Sequence, residues 1–191
     1  MITEINPIEY FKGLVKNAIE HQRLKTDEMA EYYLSSLLVS YVSSENMSKE
    51  PLAITYLKAL NIDADKATQA SLMKQVGDFS LFMSGFFSDS LKRKIVDVDY
   101  YSAIGSSSYG SLAALHRGNK KSLFRLFTEL ALRFNAFAEI ISEVSETSGL
   151  TNPNDILRLY EKWLKTGSKR AEKRLKELGI EPIGVATGPI H

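Results

Sequence analysis

Apolar side chains recur along most of this chain at steps of three and four residues, the spacing that places them on one face of an α-helix. The pattern runs from Ile8 to Ile19 in a first segment and from Ala30 to Val42 in a second. The widest apolar stripe lies over 120–148, and a wide stripe is typical of a helix that is covered on several sides. We therefore predict an all-α protein with one long helix over 120–148 at its centre.

Residues that favour helix ends divide this pattern into segments. Asn6 is followed by Pro7, the order expected when a capping side chain precedes the first helical turn. Thr26 is the predicted cap of the second helix and Asp63 that of the fourth, with a short third helix between them. The capping residues agree with the apolar periods, so two independent patterns predict the helix boundaries.

The fourth segment, predicted over 64–94, contains two glycines within its helical pattern. Glycine lowers helix stability by about 1 kcal/mol relative to alanine, so Gly77 and Gly85 are predicted sites of a bend or a break. A fifth helix begins at Asp97 or Asp99 and is expected to end at Gly118, because glycine is common just after the last helical residue.

Together these patterns predict a single-domain helical bundle of seven to eight helices over 1–179. The remaining residues, 180–191, include two prolines and two glycines and show no helical period. We therefore expect a short extended or mobile C-terminal tail there.

Composition narrows the chemistry more than the fold. The 191 residues carry a formal net charge of +1 and include no cysteine. Thiol catalysis, disulfide scaffolds and cysteine-ligated zinc or iron–sulfur centres are therefore excluded. The sequence also contains no Glu-x-x-His pair, no His-Glu-x-x-His motif and no glycine-rich phosphate loop with a lysine, so no resident metal is expected.

Targeting and membrane segments are not indicated either. The N-terminal residues lack a basic stretch followed by an apolar one, the pattern of a signal peptide. The most apolar window is 79–87, far shorter than the roughly 20 residues of a membrane span. We therefore expect a cytoplasmic protein.

The stretch 76–116 is unusual because it combines many aromatic residues with many serines and glycines. Small residues on a helix allow two helices to pack closely, or leave room for a ligand against the backbone. Both interpretations stay open from the sequence. If the second holds, the candidate ligand-binding residues are Asp78, Gly85, Asp89, Tyr101, Gly105, Ser106, Tyr109 and His116.

Helical spacing makes the ligand interpretation specific. Ser106, Tyr109 and His116 follow one another at steps of three and seven residues and share a stripe of the fifth helix. Asp78 lies on the preceding helix. We therefore expect these four side chains to line one cavity between helices 64–94 and 99–117 if the protein holds a small, partly apolar molecule.

Two short segments resemble parts of the haem oxygenases, in which a histidine of the first helix binds the iron and a glycine-rich helix covers the other haem face. His21 lies on the border of the apolar face of the first predicted helix, and Tyr101 precedes the run Gly105 to Gly110. The resemblance covers these segments alone. It implies a haem-like ligand, with His21 as the candidate iron ligand.

A charged row lies on the helix predicted over 120–148. Arg125, Glu129 and Arg133 are spaced by four residues and so share one face. Such a row usually forms solvated ion pairs. On a central helix it would instead be buried and orient a ligand, and that alternative is kept.

The only basic concentration lies over 153–178, where eight basic and four acidic residues leave a local charge of +4. One interpretation is a charged helix face, because the acids are interleaved with the bases. The other is contact with nucleic acid, whose phosphates attract such residues. The residues concerned are Arg158, Lys162, Lys169, Arg170, Lys173 and Arg174.

Three classes of function follow from these observations. The first is a non-enzymatic binding or interaction module that acts as a homo-oligomer such as a homodimer, which fits the lack of any catalytic motif. The second is a protein or enzyme that holds a small molecule between helices 64–94 and 99–117. The third is a nucleic-acid binder that uses 153–178. Whether the protein is an enzyme is left open, and no cofactor is identified.

Overall fold

The computed structural model describes residues 6–42, 51–61, 63–88, 98–118, 120–148, 160, 163 and 166–177. The helices in these ranges are α1 (Pro7–His21), α2 (Glu28–Val42), α3 (Leu52–Ala59), α4 (Lys66–Phe86), α5 (Val98–His116), α6 (Lys121–Leu132), α7 (Phe134–Ser148) and α8 (Lys169–Glu177). The same ranges contain no strand. The predicted all-α helical bundle is therefore confirmed, while the tail predicted over 180–191 lies outside the described residues.

The cap of α1 is confirmed, and two other caps differ from the prediction by one or two residues. The Asn6 side chain accepts a hydrogen bond from the amide of Ile8 at 3.2 Å, and Pro7 is the first helical residue. For α2 the capping side chain is Asp27, not Thr26, since it accepts from the amide of Ala30 at 3.0 Å. In each case the cap is the residue directly before the helix. The sequence alone does not determine at which residue the helix begins.

Helix α4 is capped by Asp65, not by the predicted Asp63. The Asp65 carboxylate accepts from the amide of Thr68 at 2.9 Å, the reach of an N-cap side chain to the third helical residue. At the end of α5, Gly118 adopts a φ of 94°, a conformation in which glycine avoids the strain of a Cβ. The glycine predicted to follow this helix is confirmed.

Helix α4 continues without a break through Gly77 but ends at Phe86, one residue after Gly85, so of the two predicted positions only Gly85 lies next to a break in the segment predicted over 64–94. The glycines are places where another helix approaches the backbone of α4. A Cβ at Gly77 would lie 2.7 Å from the ring of Tyr109, and one at Gly85 would lie 2.5 Å from Cβ of Ile141. The packing of α5 and α7 against α4 therefore offsets the low helix propensity of glycine.

The helix predicted over 120–148 is two helices, α6 and α7, which meet at Arg133. Arg133 has φ −118° and ψ 26°, outside helical geometry. Its guanidinium donates to the carbonyl oxygen of Lys25 and, at 2.8 Å, to Glu129. Tertiary contacts hold this turn, and the apolar period passes through it, so the sequence pattern does not reveal it.

The centre of the bundle is the second half of α4, not 120–148 as predicted. Every side chain from Val76 to Phe86 is buried except that of Phe79, which is partly buried. Helices α2, α3, α5 and α7 all pack against α4, with α5 making the most extensive contact. None of the helices in the described ranges is long and apolar enough to cross a membrane.

Candidate functional site

A carboxylate lies at the middle of the central helix. Asp78 is only 8% exposed and is flanked on α4 by buried residues, with Gly77 before it and Leu81 one turn after it. Burying a charged group costs free energy unless hydrogen bonds or an opposite charge compensate for its lost hydration. The hydrogen-bond and ion-pair partners of Asp78 therefore show how its burial is compensated.

Side chains from three helices converge on Asp78. Its Oδ1 accepts one hydrogen bond from the Tyr33 hydroxyl of α2 and another, at 2.8 Å, from the Tyr109 hydroxyl of α5. Its Oδ2 accepts from Nζ of Lys74, one turn earlier on α4, at 2.5 Å. The carboxylate thus joins α2, α4 and α5 at one point.

The two tyrosines act as protonated donors. Burial, followed by the negative charge of Asp78, raises the pKa of Tyr33 well above its ordinary value. The same two causes, in the same order, raise the pKa of Tyr109 well above its ordinary value. Because both hydroxyls stay protonated at neutral pH, they hold Asp78 Oδ1 by hydrogen bonds and bring no charge to it.

Aromatic rings enclose this polar centre on the side facing α6. The Phe127 ring stacks on the Tyr109 ring with centroids 5.9 Å apart, and the Tyr33 ring meets Phe127 edge-on at 5.7 Å. The imidazole of His116 also stacks on Phe127, at 5.8 Å. These rings pack around the two hydroxyl donors of Oδ1, whereas Oδ2 of Asp78 meets the half-exposed side chain of Lys74.

A cleft of about 250 Å³ lies beside Lys74 and Asp78, between α2 and α4. Its lining consists of Tyr41 from α2 and Ser71, Lys74, Gln75 and Asp78 from α4. The Tyr41 side chain is buried, whereas the Lys74 side chain is half exposed. The lining of the cleft is mainly polar, and its charged groups are Lys74 and Asp78.

The structure brings together two of the four residues that the sequence placed around one cavity. Asp78 and Tyr109 are hydrogen-bonded, but His116 lies on Phe127, and neither His116 nor Ser106 lines the cleft. The cleft also lies on the α2 side of α4, whereas the sequence placed it between α4 and α5.

Close packing accounts for the small residues between α4 and α5. A Cβ at Gly105 would overlap the ring of Phe134, and one at Gly77 would overlap that of Tyr109. Ser80 and Ser108 are fully buried, and their hydroxyls have no hydrogen-bond partner among the described residues. These side chains are small because aromatic rings occupy the space around them.

The other candidates from this stretch lie away from the cleft. Gly85 faces α7, where a Cβ would lie 2.7 Å from the carbonyl oxygen of Ala138. The Tyr101 ring packs edge-on against Phe79 at 6.4 Å, and burial raises the pKa of Tyr101 to about 12. Asp89 lies outside the described residues.

His21, the candidate iron ligand, lies at the exposed end of α1. Its Nδ1 is 3.0 Å from Oε1 of Glu143 on α7, and the neighbouring Gln22 amide donates to Oε2 of the same carboxylate at 2.8 Å. Both contacts tie α1 to α7. His21 is therefore engaged in a surface contact between two helices.

The charged row of α6 forms a partly buried ion pair. Glu129 and Arg133 are 2.8 Å apart, and Arg133 also holds the carbonyl oxygen of Lys25, so this pair fixes the chain between α1 and α2. Arg125 is exposed. The arrangement matches the ion-pair interpretation more closely than the ligand-orienting one.

The basic residues of α8 form a solvent-facing surface. Ala171 and Leu175 are buried, whereas the remaining cations of the predicted patch are exposed on the other side of the helix: Lys169, Arg170, Lys173 and Arg174. Glu172 interrupts them and pairs with Lys176 at 2.7 Å. Arg158 and Lys162 lie outside the described residues.

A second groove, of about 620 Å³, runs between α1 and α2. It is lined by Glu9, Lys12, Gly13, Lys16, Glu28, Glu31 and Tyr32. All of these except Glu31 are exposed, and solvated side chains of both signs give a ligand no fixed partner. The cleft at Asp78 differs because its carboxylate is buried and held in place.

Five residues of the site were not predicted from the sequence: Tyr33, Tyr41, Ser71, Lys74 and Gln75. Lys74 and Asp78 stand four residues apart, the spacing of a helical ion pair, so the lysine was recognisable once a buried acid was suspected. Tyr33 and Tyr41 belong to the apolar stripe of α2, and nothing in that stripe distinguishes a tyrosine with a buried polar partner from a core residue.

No known family model, curated protein or solved structure matches this chain. Within the part of the chain that the structure describes, no three histidine, aspartate or glutamate side chains are grouped so as to hold a metal ion. The chemistry of the site therefore has to be argued from its own geometry: a carboxylate acceptor, two neutral hydroxyl donors, one ammonium and the ring of Tyr33.

Proposed function

We propose that this protein binds a small molecule in the cleft between α2 and α4, with the Asp78 carboxylate as the principal contact. The observation that carries the proposal is the unequal use of the two carboxylate oxygens. Oδ1 is held by two tyrosine hydroxyls inside the protein, whereas Oδ2 meets only the half-exposed Lys74 at the cleft, among the described residues. A fixed polar group at the inner end of a concave site is the usual arrangement for recognising a ligand.

The size and lining of the cleft support a compact, partly apolar ligand. Its volume of about 250 Å³ is slightly below the roughly 300–1,000 Å³ of most small-molecule sites. The Tyr33 ring, whose centroid lies 5.2 Å from Nζ of Lys74, provides an aromatic face beside the cleft, while Ser71 and Gln75 offer hydrogen bonds. The ligand class is that expected from the sequence, but the proposed site lies on the other side of α4.

The proposal is for binding and not for a reaction. The two tyrosines beside Asp78 are protonated donors, and the histidines of α1 and α5 have their contacts elsewhere: His21 with Glu143 and His116 with Phe127. A catalytic pair needs a nucleophile within reach of a general base. In the cleft the group that meets the Asp78 carboxylate is the amine of Lys74, at 2.5 Å, and we assign this pair to binding.

Ligand-observed NMR tests this proposal with four compounds of matched size: n-butylammonium, n-butyrate, 1-butanol and butyramide. The wild-type protein is compared with Ser71→Trp, which fills the cleft from an exposed position without touching the contacts of Asp78. Ser122→Trp on α6, also at an exposed serine, is the matched control. We expect at least one compound to bind the wild type and the control and to lose binding to Ser71→Trp.

Two results would contradict small-molecule binding in the cleft. One is that none of the four compounds binds the wild-type protein at millimolar concentration. The other is that Ser71→Trp binds them as well as Ser122→Trp does, which would place any binding outside the cleft.

A module that associates with a second copy of itself is the second candidate. The observation that favours it is an exposed apolar row on and just after α3, formed by Ile54, Leu57 and Leu60. These side chains are spaced by three residues and lie on one side of the helix, and Lys58 is the only charged residue of α3. An uncharged apolar face is complementary to itself, as a two-fold symmetric dimer requires.

Sedimentation velocity measurements over a range of concentrations test self-association. We expect a concentration-dependent dimer for the wild-type protein and a monomer for Leu57→Lys, because a charge at the centre of the apolar row would have to be buried in the dimer. Lys121→Glu on α6 is a surface control that should leave the dimer unchanged. A wild-type protein that stays monomeric would exclude this candidate.

A further inference from the structure

The position of Lys74 indicates which class of ligand the cleft fits. Its ammonium nitrogen lies 2.5 Å from Asp78 Oδ2 and 5.2 Å from the centroid of the Tyr33 ring. A carboxylate oxygen and an aromatic face on two sides of one position are the contacts that attract an ammonium group. Lys74 therefore fills an ammonium-binding position with its own side chain.

The charge balance around Asp78 favours a cation over other ligands. The donors to Oδ1, Tyr33 and Tyr109, are neutral hydroxyls. Among the described residues, Lys74 is the only cation in contact with the carboxylate, and the cleft lining contains no other charged side chain. When the Lys74 ammonium moves away, the cleft presents one uncompensated negative charge, which repels an anion and gives a neutral molecule no advantage.

Lys74 can also be exchanged for another cation. Its side chain is half exposed, so its ammonium recovers hydration when it leaves the carboxylate. The pair is exposed only at its Lys74 end, because the Asp78 side chain is 11% exposed, so whatever replaces Lys74 has to bring a positive charge to the buried carboxylate. A ligand ammonium that also places its carbon atoms in the cleft, beside Ser71 and Gln75, gains contacts that Lys74 does not make.

We infer that the cleft binds an organic cation, whose ammonium group replaces that of Lys74 between Asp78 Oδ2 and the Tyr33 ring. Lys74 is then a tethered competitor that occupies the position in the free protein and turns to solvent when the ligand enters. The inference rests on the proposed small-molecule function and adds to it the class of ligand and a role for Lys74.

Isothermal titration calorimetry with n-butylammonium, n-butyrate and 1-butanol tests the inference on three proteins. Lys74→Met removes the ammonium and keeps an apolar side chain in its place. Lys176→Met is the matched control, because Lys176 forms an ion pair with a residue four positions away, Glu172, at 2.7 Å. We expect Lys74→Met to bind n-butylammonium at least tenfold more tightly than the wild type, with no gain for the other two compounds and no change in Lys176→Met.

A second variant and a second measurement address Asp78 itself. Adding Asp78→Asn to Lys74→Met should abolish the gain in n-butylammonium affinity. If that double variant does not fold, the test is instead nitrogen NMR of the Lys74 side chain in the wild-type protein. We expect its resonance to shift on addition of n-butylammonium and to stay unchanged with n-butyrate.

The outcomes separate the ligand class from the function it rests on. The cation inference is overturned if Lys74→Met gains nothing for n-butylammonium, or gains equally for 1-butanol. It is also overturned if n-butyrate or butyramide alone binds in a way that Ser71→Trp removes, and that result would leave small-molecule binding standing. Absence of binding by every compound overturns both.

Discussion

Tyr109 of α5 donates a hydrogen bond to Asp78 of α4 at 2.8 Å, and its ring lies over Gly77, the residue before Asp78. One side chain therefore provides both the packing contact and the hydrogen bond at the centre of the bundle. The glycine admits the ring, and the ring brings the hydroxyl to the carboxylate. Close helix packing and the polar site are two parts of the same arrangement.

The hydroxyl of Tyr109 is expected to contribute measurably to stability. Tyr109→Phe keeps the ring over Gly77 and removes one of the two hydroxyl donors to Oδ1 of Asp78. Hydrogen bonds to charged groups contribute about 1.5–3 kcal/mol, so urea denaturation should show a loss of that order in the free energy of unfolding. Tyr32→Phe, at an exposed tyrosine, should change it by less than about 0.5 kcal/mol. Equal effects of the two substitutions would contradict the role given to this contact.

Replacing a glycine of the bundle by alanine should raise or lower the stability of the protein, depending on the surroundings of that glycine. Gly85→Ala would place a Cβ 2.5 Å from Cβ of Ile141, so we expect a loss of about 1–3 kcal/mol from overpacking. Gly105→Ala should behave alike, because its Cβ would overlap the Phe134 ring. At Gly13 of α1 no atom lies within 4 Å of the added Cβ, so alanine should stabilise the protein by about 0.5–1 kcal/mol. Thermal and urea unfolding of the three variants measure the signs, and a stabilising Gly85→Ala would refute close approach.

Periodicity and helix-end residues predict the fold class because both are local properties of the chain. The all-α fold and the Asn6 cap follow from them directly. The role of the glycines cannot be predicted from local properties of the chain. Helix propensity treats Gly77 and Gly85 as weak points, and only the neighbouring helices reveal that they are contact points. A break such as that at Arg133 is equally invisible, because distant partners hold it.

The candidate site was predicted in part for the same reason. The acid in an apolar stretch and the tyrosine among small residues identified Asp78 and Tyr109. Tyr33 lies 45 residues before Asp78 in the chain and in an ordinary apolar stripe. Which side chains meet a buried carboxylate depends on how helices cross, and one sequence does not give the crossing.

Alkaline pH should weaken the fold through the buried tyrosines. Burial and the charge of Asp78 raise the pKa of Tyr33 and that of Tyr109. In the unfolded chain a tyrosine has a pKa of about 10. Below the unfolded pKa the stabilisation is fully present. Above it the unfolded state binds fewer protons than the folded state, so the free energy of unfolding falls as pH rises towards the folded pKa.

Urea denaturation at pH 9 and pH 11 measures this dependence. Each such tyrosine contributes a slope of up to about 1.4 kcal/mol per pH unit, so Tyr109→Phe should show a shallower decline than the wild type. Tyr32→Phe, at an exposed position, is the control and should keep the wild-type slope. A Tyr109→Phe slope as steep as that of the wild type would mean that the hydroxyl is not held in the protonated form.

At the start of α2, Thr26 and Asp27 are both possible caps by sequence, but only Asp27 caps the helix in the structure. The Asp27 carboxylate accepts from the Ala30 amide at 3.0 Å, whereas the neighbouring Thr26 hydroxyl is buried without a hydrogen-bond partner among the described residues. Asp27→Ala should therefore lower the free energy of unfolding by about 1 kcal/mol, the usual contribution of an N-cap. Thr26→Val keeps the shape and removes a hydroxyl that gains nothing from burial, so it should be neutral or stabilising. Urea denaturation of both variants measures the change in the free energy of unfolding. A larger loss in Thr26→Val than in Asp27→Ala would indicate that Thr26 is the cap.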